Sequence, residues 1–189
     1  MKKQLFTTVL SLFVCAAAHA APCNIAASGN INNALLLAAL VGDTQNARCL
    51  LDGGADANTA DKNGATALMA AIQGDHTDIA RLLIEKGADV NATHKSGNTA
   101  LMDAAFKGHT DIVRLLLDKG AQVNATALNG VTALMNAALT GRTDIVRLLI
   151  EKGADVNATS EHGFTALSHA KQGNHTAIAD MLRAAGAKE

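Results

Sequence analysis

Apolar residues recur along this chain in a pattern with a long, fixed period, and each repeat predicts two short helices. In the segment 110–120, Ile112, Leu115 and Leu116 fall at i, i+3 and i+4, giving a helix one buried stripe. Thr110 and Asp111 open that helix and Lys119 precedes Gly120 at its end. An acid at the start, a base at the end and a glycine free to turn left-handed all suit the helix dipole and a helix exit. A shorter helix precedes it, starting after Thr99, whose hydroxyl is placed to accept a bond from an orphan amide near the helix start. Thr66, Thr132 and Thr165 stand in the same place, and Asn33 holds it in a degenerate first unit. Each second helix is followed by an Ala-Asp-Val-Asn type of turn and then a loop tip such as His94-Lys95-Ser96-Gly97.

The register is too long and too regular to be chance. Gly64, Gly97, Gly130 and Gly163 are 33 apart, as are the Thr-Ala-Leu runs that begin at Thr66, Thr99, Thr132 and Thr165. Asp78-Ile79, Asp111-Ile112 and Asp144-Ile145 follow the same period, and so do the Arg-Leu-Leu runs from Arg81, Arg114 and Arg147. Two short helices cannot bury their own apolar faces, so consecutive units must stack into a solenoid.

The first twenty residues follow different rules. Met1-Lys2-Lys3 is positive, Leu5 to Ala18 is a mostly apolar run, and Ala18-His19-Ala20 is an A-x-A cleavage pattern. Such a run is too short to cross a hydrocarbon core of about 30 Å, and Val14, in front of Cys15, is not the small residue that a lipid-anchored alternative needs. Residues 1–20 are therefore read as a cleaved signal peptide, with Ala21 starting the mature chain, no membrane span left, and a periplasmic or secreted location. Losing Lys2 and Lys3 leaves 14 basic against 17 acidic residues, a charge that does not attract phosphate or anionic lipid. The 189 residues contain no Trp and no Tyr, so base-stacking platforms are scarce and nucleic acid is not an expected partner.

The repeat length, the Thr-Ala-Leu runs and the Gly-Ala-Asp-Val-Asn turns resemble the ankyrin-repeat family over roughly residues 30 to 189. The resemblance implies an all-α solenoid of about five helix-turn-helix units with protruding loop tips. After an N-terminal segment 21–29 come an N-terminal capping repeat 30–60, repeats 61–93, 94–126 and 127–159, and a C-terminal capping repeat 160–189. Some positions depart from the family pattern. Ala67, Ala100, Ala133 and Ala166 replace its proline, and Met69, Met102, Met135 and Ser168 replace its histidine. Asp75 and Asn174 stand where Gly108 and Gly141 turn the chain, which both residue types tolerate.

Candidate chemistry is thin. Met69, Met102 and Met135 are equivalent, but helices packed about 8–10 Å apart cannot bring three thioethers to one ion. The same spacing separates His76, His109 and His175. No cofactor or metal is expected. His162, His169 and Asp103 are the residues on which an alternative rests, that of a periplasmic hydrolase or metal-handling protein, although no catalytic motif accompanies them. Two cysteines, Cys23 and Cys49, survive processing into an oxidising compartment. Two readings stand: a bridge stapling the first unit, or, for Cys49, a small hydrophobe aligned with Leu82, Leu115 and Leu148.

Function is better read from positions that vary over the fixed frame. At the loop tips and at the end of each first helix, most units carry polar side chains, but Phe106, Leu128, Val131, Leu139 and Phe164 are apolar. Phe106 and Leu139 are equivalent in successive units, as are Val131 and Phe164, so a cluster on the third to fifth units is expected, with Asp103 and Asn136 as its polar rim. The resemblance implies recognition of a protein partner by loop tips and concave inner-helix face, without catalysis, by a monomer. For an exported bacterial member it implies either an accessory, protective factor for another enzyme or an immunity-type inhibitor.

Overall fold

Asn30 and the threonines of the repeat set where the inner helices begin, in a computed structural model that describes residues 30–188. The signal-like segment 1–20 and the segment 21–29 lie outside the described residues. Among those described are five helix pairs: α1 (Ile31–Val41) with α2 (Thr44–Asp52), α3 (Ala67–Gln73) with α4 (Thr77–Glu85), α5 (Ala100–Lys107) with α6 (Thr110–Asp118), α7 (Ala133–Leu139) with α8 (Thr143–Glu151), and α9 (Ala166–Gln172) with α10 (Thr176–Ala184). Thr66, Thr99, Thr132 and Thr165 each cap an inner helix by accepting the amide three residues on. The first unit differs from the expectation at Asn33, which lies inside α1; the cap is Asn30, accepting from the Asn32 amide at 2.8 Å. Antiparallel bridges Ala60–Thr66, Thr93–Thr99 and Thr126–Thr132 pin the threonines of three later units in extended backbone. No such bridge precedes α1 among the described residues, and the helix runs almost a turn further back.

The inner helices α1, α3, α5, α7 and α9 stack in that order, and the outer helices follow in parallel. Ala67, Leu68, Ala71 and Ile72 are buried, as are Ala100, Leu101, Ala104 and Ala105 one unit on, so small residues let neighbouring backbones approach. Met69, Met102 and Met135 are at most 2% exposed and fill the same layer. In α6 the buried stripe is Ile112, Val113 and Leu116, with Leu115 only partly covered. Lys119 is the capping residue after α6, one place beyond the last turn. Asp75 and Asn174 adopt left-handed backbone, φ 62° and 57°, where Gly108 and Gly141 do.

Hydrogen bonds fix the register between units. Asn91 accepts from the Gln122 amide at 2.9 Å and donates to the Gly120 carbonyl at 3.1 Å. Asn124 does the same to Asp155 and Gly153, and Asn157 to Lys188 and Gly186. The loop tips are joined in turn, with the amides of Lys95, Leu128 and Glu161 donating to the carbonyls of Asn63, Ser96 and Asn129. Cys49, half-buried in α2, is disulfide-bonded. Cys23, its expected partner, lies outside the described residues.

Asp75 joins the second unit to the third, accepting from Lys107 Nζ and His109 Nε2, both at 3.1 Å. The bond from Lys107 holds this carboxyl below the ordinary carboxylate range; partial desolvation opposes it, and the charge of Lys107 and the bond from His109 reinforce it. A carboxyl with a lowered folded pKa contributes stability above its unfolded value of about 3.9 and loses it as pH falls through the folded one. Asp75→Asn keeps a residue that tolerates the left-handed turn and removes only the charge. Thermal melts should show the variant less stable than the parent at pH 7, and the gap should close as pH is taken below the carboxylate range. A gap that is constant with pH would show that the pairing contributes nothing.

Candidate functional site

Large apolar side chains are left exposed on the inner helices and at the loop tips. Phe106 is 48% exposed at the end of α5 and Leu139 36% at the end of α7. Leu128 is 72% exposed at its loop tip, where its amide bonds to Ser96, and Phe164 is 42% exposed. Val131 is only partly buried but packs against the core, so it supports the cluster more than it displays it. Phe164 stacks on His169 with ring centroids 5.3 Å apart, which fixes the ring on the last unit.

The expected polar rim divides in two. Asn136 turns its amide to the Met102 carbonyl, at 3.3 Å, and works as a bond between α5 and α7. Asp103 stays at the surface, half-buried, and accepts from Gln73 Nε2 at 3.1 Å. Burial raises the Asp103 carboxyl above the ordinary carboxylate range, against the bond from Gln73 and the nearby charges of His94 and Lys107.

Sequence reasoning missed the first unit's share of this face. Leu37, Leu40 and Val41 on α1 are 46%, 59% and 62% exposed. The signal is present in the chain: Leu40 lies one full period before Gln73 and so belongs to the column that continues through Phe106 and Leu139.

The three residues of the catalytic alternative are not brought together. Asp103 is on α5 and His169 on α9, with α7 packed between them, while His162 is exposed on a loop tip. His169 Nδ1 is buried without a hydrogen-bond partner. His76 and His175 reach back to the preceding unit's Leu40 and Leu139 carbonyls, at 3.2 Å, and His109 reaches Asp75. Among the described residues no group of three or more His, Cys, Asp or Glu is arranged to hold a metal ion, and no helix is long and apolar enough to cross a membrane.

The family profile for ankyrin repeats, built on three copies, matches residues 35–127 and 123–188, well over half of the chain. This chain is an ankyrin-repeat protein. Comparison with curated proteins gave no match. Ankyrin repeats are in general protein-protein interaction modules. In this ankyrin protein the large apolar side chains left exposed include Leu40, Phe106, Leu128, Leu139 and Phe164.

Proposed function

We propose that this ankyrin stack is an exported, non-catalytic binding module of the bacterial periplasm, which holds a protein partner as an accessory, protective factor or as an immunity-type inhibitor. The observation that carries the binding reading is the set of large apolar side chains left exposed on the inner helices and loop tips of a protein whose core is otherwise closed. The export reading rests on the charged, apolar and A-x-A stretches of residues 1–20. Partner identity separates the two roles: a resident periplasmic enzyme means protection, a delivered toxic effector means inhibition.

Affinity capture from periplasmic extract tests the whole reading, with the parent set against a Phe106→Ala, Leu139→Ala, Phe164→Ser variant of unchanged helical spectrum. Loss of a few central aromatic and aliphatic anchors commonly costs about 2 kcal/mol or more, roughly thirtyfold in affinity. One protein should be retained by the parent and lost by the variant, and chain recovered from the periplasm should begin at Ala21. Equal capture by both would place the site elsewhere.

A further inference from the structure

The column Leu40, Gln73, Phe106, Leu139 is exposed along its length, because the inner helices that carry it stack in sequence and their buried positions recur with the period of the repeat. It is not uniform. Leu37, Leu40 and Val41 form an apolar patch on α1, Phe106 and Leu139 form another on α5 and α7, and α3 between them offers only Ala70, Gln73 and Gly74 at the matching places. Two steps of about 8–10 Å between packed helices put the patches of α1 and α5 roughly 20 Å apart. That distance is too great for one side chain to bridge and suits two anchors of one segment, about six residues apart if extended or about thirteen if helical.

On the α3 side of the second patch stands a carboxylate, that of Asp103, which lies on α5 one turn before Phe106 and reaches back to Gln73. Asp103 takes a hydrogen bond from a neutral amide, Gln73, and from no cation. The two nearest basic groups are committed elsewhere: Lys107 Nζ to Asp75 at 3.1 Å, and His94 Nδ1 to Ser96 at 2.8 Å. Lys107 and His94 attract this half-buried charge from nearby without bonding to it, and a cation arriving from outside can pair with it directly. Gln73, exposed and already turned toward Asp103, holds the carboxylate in place without neutralising it.

We propose that the inner-helix face takes a single polypeptide segment, which seats one apolar side chain on Leu37, Leu40 and Val41, a second on Phe106 and Leu139, and a lysine or arginine between them on Asp103. This rests on the reading that the face binds protein, and it adds the chemistry of what is bound: an amphipathic, basic segment whose two anchors match the gap across α3.

Panning a random sixteen-residue peptide library against the intact chain supplies the probe. The best binder is then synthesised with and without its basic residue and titrated against the parent, Asp103→Asn, Leu40→Ser and Phe106→Ala/Leu139→Ala. Selected peptides should carry Lys or Arg between two apolar anchors. Asp103→Asn and removal of the peptide's basic residue should each weaken binding about tenfold, and together no more than either alone; Leu40→Ser should also cost about tenfold. Peptides without the basic residue, losses that simply add, or no enriched peptide at all would overturn the proposal. If only the Phe106→Ala/Leu139→Ala variant loses the peptide, the binding face stands and the basic two-anchor segment does not. If that variant also binds normally, both fall.

Discussion

Gly97→Ala should lower the melting midpoint by roughly 4–20 °C, and in a paired melt by more than Gly120→Ala, which should cost about 2–8 °C, although both glycines are left-handed, at φ 78° and 88°. Any alanine at such a φ costs about 1–2 kcal/mol, and at Gly120 that is the whole effect, since an added Cβ meets nothing within 4 Å. At Gly97 the same Cβ would come to 2.7 Å from the Leu128 amide nitrogen and 3.0 Å from the Ala127 carbonyl carbon. Those are backbone atoms of the next loop tip and cannot rotate away, so the tips must separate, adding about 1–3 kcal/mol of overpacking. Separation also breaks the bond from the Leu128 amide to Ser96, at 2.9 Å, and displaces the most exposed apolar side chain of the candidate face. The Gly97 variant should therefore lose partner affinity as well as stability, whereas Gly120→Ala should lose only stability. Thermal melts paired with the capture assay decide it; equal midpoints for the two variants would mean that the tips do not touch in solution.

That contact explains how much of the molecule is legible in the sequence. A fixed repeat period is a property of the backbone path, and caps, turn glycines and buried stripes all recur with it, so the solenoid and its helix pairs can be read from Thr66, Gly97 or Leu116 directly. The left-handed turns at Asp75 and Asn174 follow from the same alignment. What the period cannot show is where one side chain aims among its neighbours. Asn136 and Asp103 are equivalent and both polar, yet one bonds to the Met102 carbonyl and the other stays at the surface under Gln73. Val131 and Phe164 are equivalent and both apolar, yet one packs on the core while the other is exposed and stacks on His169. The first unit hides its contribution for another reason. The register that sets Asn33 one period before Thr66 also sets Leu40 one period before Gln73, but Gln73 is polar, so the apolar line breaks at α3 and does not lead back to Leu37, Leu40 and Val41.

Removing the last unit, by ending the chain at Thr159, should have the largest effect on stability. In a linear stack each unit is held by its neighbours alone, so loss of one end deletes an interface and uncovers another. Leu167, Ala170, Ile178 and Leu182 are buried in the last unit, and α9 and α10 lie directly on α7 and α8. The truncation would leave the buried Leu134, Ala137 and Leu149 next to an open end. It would also leave Asn124 its bonds to Gly153 and Asp155 while Asn157 loses both of its partners, Gly186 and Lys188. The fifth unit is built differently: Lys171, Asn174, Thr176, Asp180 and Arg183 are exposed on it and line a groove with Ala170 and Ala179, with Arg183 and Asp180 paired at 3.0 Å, so water meets polar groups at that end of the stack. Replacing that polar end by an apolar one should cost several kcal/mol, a fall of at least about 10 °C in midpoint, and should raise the fluorescence of a dye that binds exposed apolar surface. The binding reading makes a further demand on the same protein. Leu40, Phe106 and Leu139 lie on α1, α5 and α7, all retained, so below its lowered midpoint the truncated chain should keep most of its affinity for a partner held by the inner helices. A midpoint that does not move would show that the fifth unit is not coupled to the fourth. Affinity that vanishes while the remaining helices stay folded would move the centre of the site to Phe164 and the last unit.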